Sequence, residues 1–130
     1  MPQEPEPLSI PIAEATERLS GLPAQFVVLF ERGDVTVELF VPRGSDVQKP
    51  HARDEIYIVA SGSGTFRRGD ERVAFAPGDF LFVTANVEHR FESFSADFRT
   101  WVVFFGPPGG VKPPISVLAS AQPARAQCPG

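Results

Sequence analysis

The chain predicts an all-β fold, a barrel or sandwich of about eight or nine short strands, and three features of the sequence carry that expectation. Between Phe26 and Phe105, runs of four to eight residues rich in Val, Phe, Ile and Thr recur with period-two alternation. Glycine-bearing turns separate them at Gly33-Asp34, Gly62-Ser63-Gly64, Gly69-Asp70 and Pro77-Gly78-Asp79. The stretches between the runs leave no room for the helical crossovers that a parallel sheet requires.

Residues 1–25 read as an N-terminal arm followed by a short helix. The first eleven residues hold four prolines, and IAEATERL then sets Ile12, Ala15 and Leu19 on one side of a helix that Gly21 and Pro23 close. The strands of residues 26–106 begin with FVVLFE and VTVELFV. In the second of these, Val35, Val37, Leu39 and Val41 form an apolar face, while Thr36, Glu38 and Phe40 form a mixed one. Pro42 to Pro50 reads as a loop. EIYIVAS, TFRR, ERVAF, FLFV, HRFESF and FRTWVVFF follow as strands, and Pro77-Gly78 suits a type II turn with glycine taking positive φ. Residues 107–130 are rich in Pro, Gly and Ala. ISVL at 115–118 can add one edge strand, and disorder is expected from Ala119 onward because such a composition buries too little to offset ordering.

With 130 residues the chain suits one compact unit, and twelve phenylalanines make its core aromatic. A net charge of -4 with scattered arginines argues against a nucleic-acid partner. The lone Cys128 excludes an intramolecular disulfide and a cysteine metal cage. No secretion signal and no apolar run approaching ~20 residues is present, so a cytoplasmic location without membrane partners is expected.

The chemistry-bearing stretch is KPHARDEIYIVASG, residues 49–62. His51 and Glu55 stand in it, and His89, the only other histidine, comes 34 residues after Glu55 in VEHRF. Two imidazoles and a carboxylate suit Fe, Mn, Zn or Ni, and three such ligands leave an ion positions for water or substrate. On a straight strand His51 and Glu55 would lie roughly 13 Å apart, too far to share an ion. Ala52-Arg53-Asp54 must therefore fold back, with His51 ending one strand and Glu55 starting the next. Glu55, Tyr57 and Val59 then share a face.

These residues resemble the two motifs of the small single-domain cupins. In the first, His51 matches the second histidine, Glu55 the glutamate and Gly62 the closing glycine, while Lys49 falls where the first histidine stands. In the second, Gly78 and His89 are in register, with Thr84 in place of proline, Asn86 in place of glycine and Ser93 in place of asparagine. Together the motifs span residues 44–93. The resemblance implies a double-stranded β-helix, or jelly-roll, barrel, a homodimer, and a divalent ion on His51, Glu55 and His89, held by three protein ligands rather than four.

Parity with His51 aims Lys49 at the same pocket, where its ammonium would pair with Glu55 or hold an anionic ligand; alternatively the long stem swings to solvent. Glu55, Tyr57 and Lys49 are the catalytic candidates. Tyr57 and Phe91 share faces with ligand residues and line the cavity or pack in the core. Arg53 and Arg90 point away, toward the surface or a subunit contact, and Trp101 packs in the barrel or an interface. The function expected is action on a small oxygen-bearing organic substrate, dioxygenase-like or isomerase-like. The alternative is a non-catalytic cupin module that binds a sugar or a carboxylate.

Overall fold

The computed structural model describes residues 6–46 and 48–111. The expected edge strand at 115–118 and the expected disorder from Ala119 lie outside those residues. Helix α1 (Ile12–Ser20) is followed by eight strands: β1 (Phe26–Arg32), β2 (Val35–Phe40), β3 (Asp54–Ser61), β4 (Gly64–Arg68), β5 (Glu71–Phe75), β6 (Phe80–Val83), β7 (His89–Phe94) and β8 (Arg99–Phe105). They form two antiparallel sheets, ordered β1-β2-β8-β3-β6 and β5-β4-β7. This is the double-stranded β-helix of a jelly roll, with a short N-terminal helix.

Period-two alternation places the core. Along β3, Glu55, Tyr57 and Val59 are buried while Ile56 and Ile58 are only partly so. Tyr57, Val59, Phe66, Phe75, Leu81, Val83, Phe91, Phe98 and Val102 fill the space between the sheets. Phe91 is the hub, with ring centroids of Phe98, Phe66 and Tyr57 at 4.7, 4.8 and 4.9 Å. Such tilted and edge-on pairs add to the stabilisation from burial alone.

The apolar face of β2 does not enter this core. Leu39 is completely buried beneath α1, in a second cluster with Ala15, Leu19 and Leu29, and Trp101 packs against it. The helix therefore covers the outer face of β1, β2 and β8, and the single tryptophan packs within the chain. The mixed face, with Glu38 and Phe40, is the one turned inward. A barrel with a cavity needs polar groups inside at that end, and the helix supplies the apolar cover outside.

Three glycine positions show why the chain turns as it does. Gly78 has φ 90° in the turn closed by Asp79 N–H to Ala76 O (3.1 Å), the geometry expected after Pro77. A Cβ on Gly62, at φ 86°, would lie 2.5 Å from Phe98 Cα, and one on Gly64 would lie 2.0 Å from Ser93 O. β4 thus passes so close to β7 that no side chain fits at residue 64.

Candidate metal centre

Each ligand residue reaches the site from a different part of the fold. Glu55 is the second residue of β3 in the larger sheet, and His89 opens β7 in the smaller one. His51 comes from the long connection between β2 and β3. It does not end a strand, as its spacing from Glu55 suggested; bends at Ala52 and Arg53 turn the chain into β3. Ligand atoms of His51, Glu55 and His89 nevertheless lie within 4.8 Å of one another. The cluster can hold a divalent ion.

The fit is visible in the polar atoms. Glu55 and His89 are each 1 % exposed, and Glu55 Oε1 lies 3.1 Å from His89 Nε2. The two are out of line for a hydrogen bond, and neither atom has another partner. Buried, unpaired polar atoms are costly; a shared ion would satisfy both. The second ring nitrogen of His89, Nδ1, donates to Val87 O at 2.8 Å, which leaves Nε2 as the ligand nitrogen. Burial opposes protonation of this imidazole, but the Glu55 carboxylate outweighs it, and His89 is held above the ordinary histidine pKa, with Val87 O and Asp46 adding to the effect.

Hydrogen bonds of four residues around the cluster fix the ligands. The Asp46 carboxylate, 4 % exposed, accepts from Phe91 N (2.8 Å), Gln48 N (3.0 Å) and Gln48 Nε2 (2.8 Å). Asp54, equally buried, accepts from Ala85 N (2.9 Å) and Val111 N (2.8 Å) and so acts as a tether. Arg53 donates to Gly106 O (3.1 Å) and to Asp34 O, so it clamps the β1–β2 turn and the end of β8 within the chain. Asn86 N donates to His51 O at 2.6 Å. Asn86 has φ 67°, the only positive φ outside glycine among the described residues. Asparagine tolerates that region better than other side chains, which explains how it occupies a glycine position of the motif.

A cleft of about 590 Å³ opens over the cluster, with Phe26, Phe40, Val102 and Phe104 as apolar walls and Glu38, Asp46, Gln48, Lys49, His51 and Glu55 as polar ones. Lys49 is exposed at its mouth. Alternation does not place it, because this connection is irregular backbone. Tyr57 is wholly buried, and its hydroxyl donates to Gln48 Oε1 at 3.2 Å. Burial first and the Glu55 carboxylate second raise its pKa well above 10.0, so the phenol stays neutral. Phe91 lies in the core at 1 % exposure. Arg90 is half-buried opposite Arg67 in the smaller sheet, away from the cluster.

Three residues of the site escaped the sequence reading: Glu38, Asp46 and Gln48. Glu38 alone left a signal, a carboxylate on the strand face it shares with Phe40. Burial pushes its pKa up from 4.5 to about 7, with the Glu55 and Glu31 carboxylates adding to the rise. Asp46 and Gln48 sit in a loop where periodicity says nothing.

Comparison with known proteins agrees with the fold. The cupin domain family profile matches residues 36–104, more than half of the chain. The protein belongs to the cupin family. An uncharacterized protein of Streptomyces coelicolor is 44 % identical over 63 residues, which are 48 % of this chain and 60 % of that one. Among solved structures, a cupin superfamily protein of Desulfitobacterium hafniense aligns with 82 % of this chain and 100 % of its own at TM-score 0.56 and 19 % identity. A Ralstonia eutropha protein named provisionally as a mannose-6-phosphate isomerase aligns with 67 % of this chain and 89 % of its own, at TM-score 0.50 and 28 % identity.

Proposed function

We propose that this cupin is a metal-dependent enzyme that moves a proton on a small oxygen-bearing organic substrate, an isomerase-like activity. The observation that carries the reading is Glu38, a carboxyl group outside the ligand cluster but in the same cleft, with a pKa brought to about 7. A base poised near neutrality suits both removal and return of a proton. A divalent ion on His51, Glu55 and His89 would supply Lewis-acid polarisation of a substrate oxygen. Glu38 would take a proton from the hydroxyl-bearing carbon next to the substrate carbonyl and return it to the carbonyl carbon, while the hydroxyl proton passes to the former carbonyl oxygen, so that no oxidant or second substrate is consumed. Phe26, Phe40 and Phe104 would hold the carbon skeleton and exclude water. Lys49, at the mouth, would attract an anionic group on the substrate. The provisional isomerase name of the Ralstonia eutropha protein is in keeping with this chemistry.

The test is solvent-proton exchange. Protein loaded with Mn or Zn is incubated in D₂O with a panel of small hydroxyaldehydes, hydroxyketones, aldoses and 2-keto acids, and deuterium entry beside the carbonyl is followed by NMR. Exchange that Glu38→Gln abolishes while metal content stays at wild-type level is expected. Exchange that survives in Glu38→Gln, or none across the panel for fully loaded protein, would overturn the reading.

A further inference from the structure

The motif's first histidine place holds Lys49, and Lys49 is exposed. Its neighbour Gln48 is the residue whose side chain reaches the cluster. The orientation of that amide is set by chemistry: Nε2 donates to Asp46 Oδ2 at 2.8 Å, and a carboxylate oxygen can only accept. The carbonyl end is therefore turned toward the ligands. Oε1 lies 3.2 Å from His51 Nε2 and 3.2 Å from the Tyr57 hydroxyl. A carbonyl oxygen has two lone pairs, so accepting from Tyr57 leaves one free.

The spacing is that of neighbouring ligands. Two bonds of ~2.1 Å at right angles place their donor atoms about 3.0 Å apart. Gln48 Oε1 to His51 Nε2 is 3.2 Å, and Glu55 Oε1 to His89 Nε2 is 3.1 Å. We propose that Gln48 is the fourth protein ligand of the metal centre, through Oε1, in the place that the motif's first histidine would take. Asp46 and Tyr57 hold the amide from behind, the outer support that metal ligands commonly have. A donor set of two imidazoles, a carboxylate and an amide oxygen is harder than one of three imidazoles and a carboxylate, and favours Mn or Fe(II) over Cu(I). The inference rests on the metal-binding role of His51, Glu55 and His89.

Untagged apo-protein is titrated with MnCl₂ and with ZnCl₂ by calorimetry for wild type, Gln48→Met, Lys49→Met and Lys49→His, each checked for folding by circular dichroism. The structure of Mn-soaked wild-type crystals is solved in parallel, using the anomalous signal of the ion. One ion per chain is expected in wild type. Gln48→Met should lose more than about 100-fold in affinity, beyond the 10–100-fold that removal of an outer support brings. Both Lys49 variants should stay within about twofold of wild type, because a side chain at 49 is outside the cluster. Gln48 Oε1 should lie within about 2.3 Å of the ion. Failure of wild type to bind either metal would defeat the metal reading itself. Normal binding by wild type and Gln48→Met alike would overturn the role of Gln48 alone. So would a loaded structure in which Oε1 is off the ion, whatever the affinity of a variant. Tighter binding by Lys49→His would equally place the fourth corner at residue 49.

Discussion

Replacing Asp46 with alanine tests the part of the site that is least visible in the sequence. The carboxylate accepts three hydrogen bonds, from Phe91 N, Gln48 N and Gln48 Nε2. Phe91 N is buried in the smaller sheet, and without its acceptor it bears the desolvation penalty of an orphaned donor, about 1–3 kcal/mol. The two Gln48 groups are only partly buried and can recover water, so each costs about 0.5–1 kcal/mol. The sum predicts that Asp46→Ala destabilises the protein by about 3 kcal/mol, at the upper end of ordinary single substitutions. Asp46→Asn keeps one acceptor oxygen and should cost about half as much. Urea unfolding of metal-free protein measures both, and hydrogen exchange at the Phe91 amide should speed up in step with the stability loss. Metal affinity should fall as well, because the same carboxylate fixes the stretch that carries Gln48 and His51. A loss below about 0.5 kcal/mol in Asp46→Ala, or a Phe91 amide as protected as in wild type, would refute the account of Asp46 as a buried tether.

Two further outcomes follow from the packing and the charges. Gly64→Ala should be strongly destabilising or fail to fold, since its Cβ would lie 2.0 Å from Ser93 O, whereas Gly69→Ala, with nothing within 4 Å, should cost only the ~1 kcal/mol of a left-handed residue; thermal unfolding of the pair compares them. Metal-free wild type should lose stability as pH rises from about 4.5 to about 7: Glu38 holds its proton more tightly folded than unfolded, so its contribution is complete below the unfolded value and disappears as pH passes the folded one. His89, raised from 6.5, changes stability in the same direction but only from about 6.5 upward. The Glu38→Gln variant should therefore flatten the profile without making it level, and an unchanged slope in urea midpoints across that range would count against the buried environment of Glu38.

The elements of the fold were legible because strands and turns are local. Alternation along EIYIVAS located β3 and assigned its inner face, and Pro77-Gly78 specified its own turn through proline's restricted φ and glycine's freedom. The helix over Ile12–Ser20 followed from the spacing of Ile12, Ala15 and Leu19 in the same way. His51, Glu55 and His89 could be named because few residue types bind such ions and the chain has only two histidines.

Periodicity ends where regular backbone ends. Carrying strand parity back from His51 to Lys49 assumed a regular strand, but residues 48–51 belong to no strand, and the side chain that meets His51 is that of Gln48. A similar limit applies to β2. The sequence by itself determined that its two faces differ, but not which of them is inside, because that depends on α1 covering Leu39. With the helix in place, Glu38 and Phe40 are turned toward the cleft. The sequence determined strands, turns and the metal-binding residue types, all properties of neighbours along the chain. Tertiary structure decided the loop's path, the buried hydrogen bonds of Asp46 and the inward face of β2, because each depends on groups that meet only when distant segments pack together.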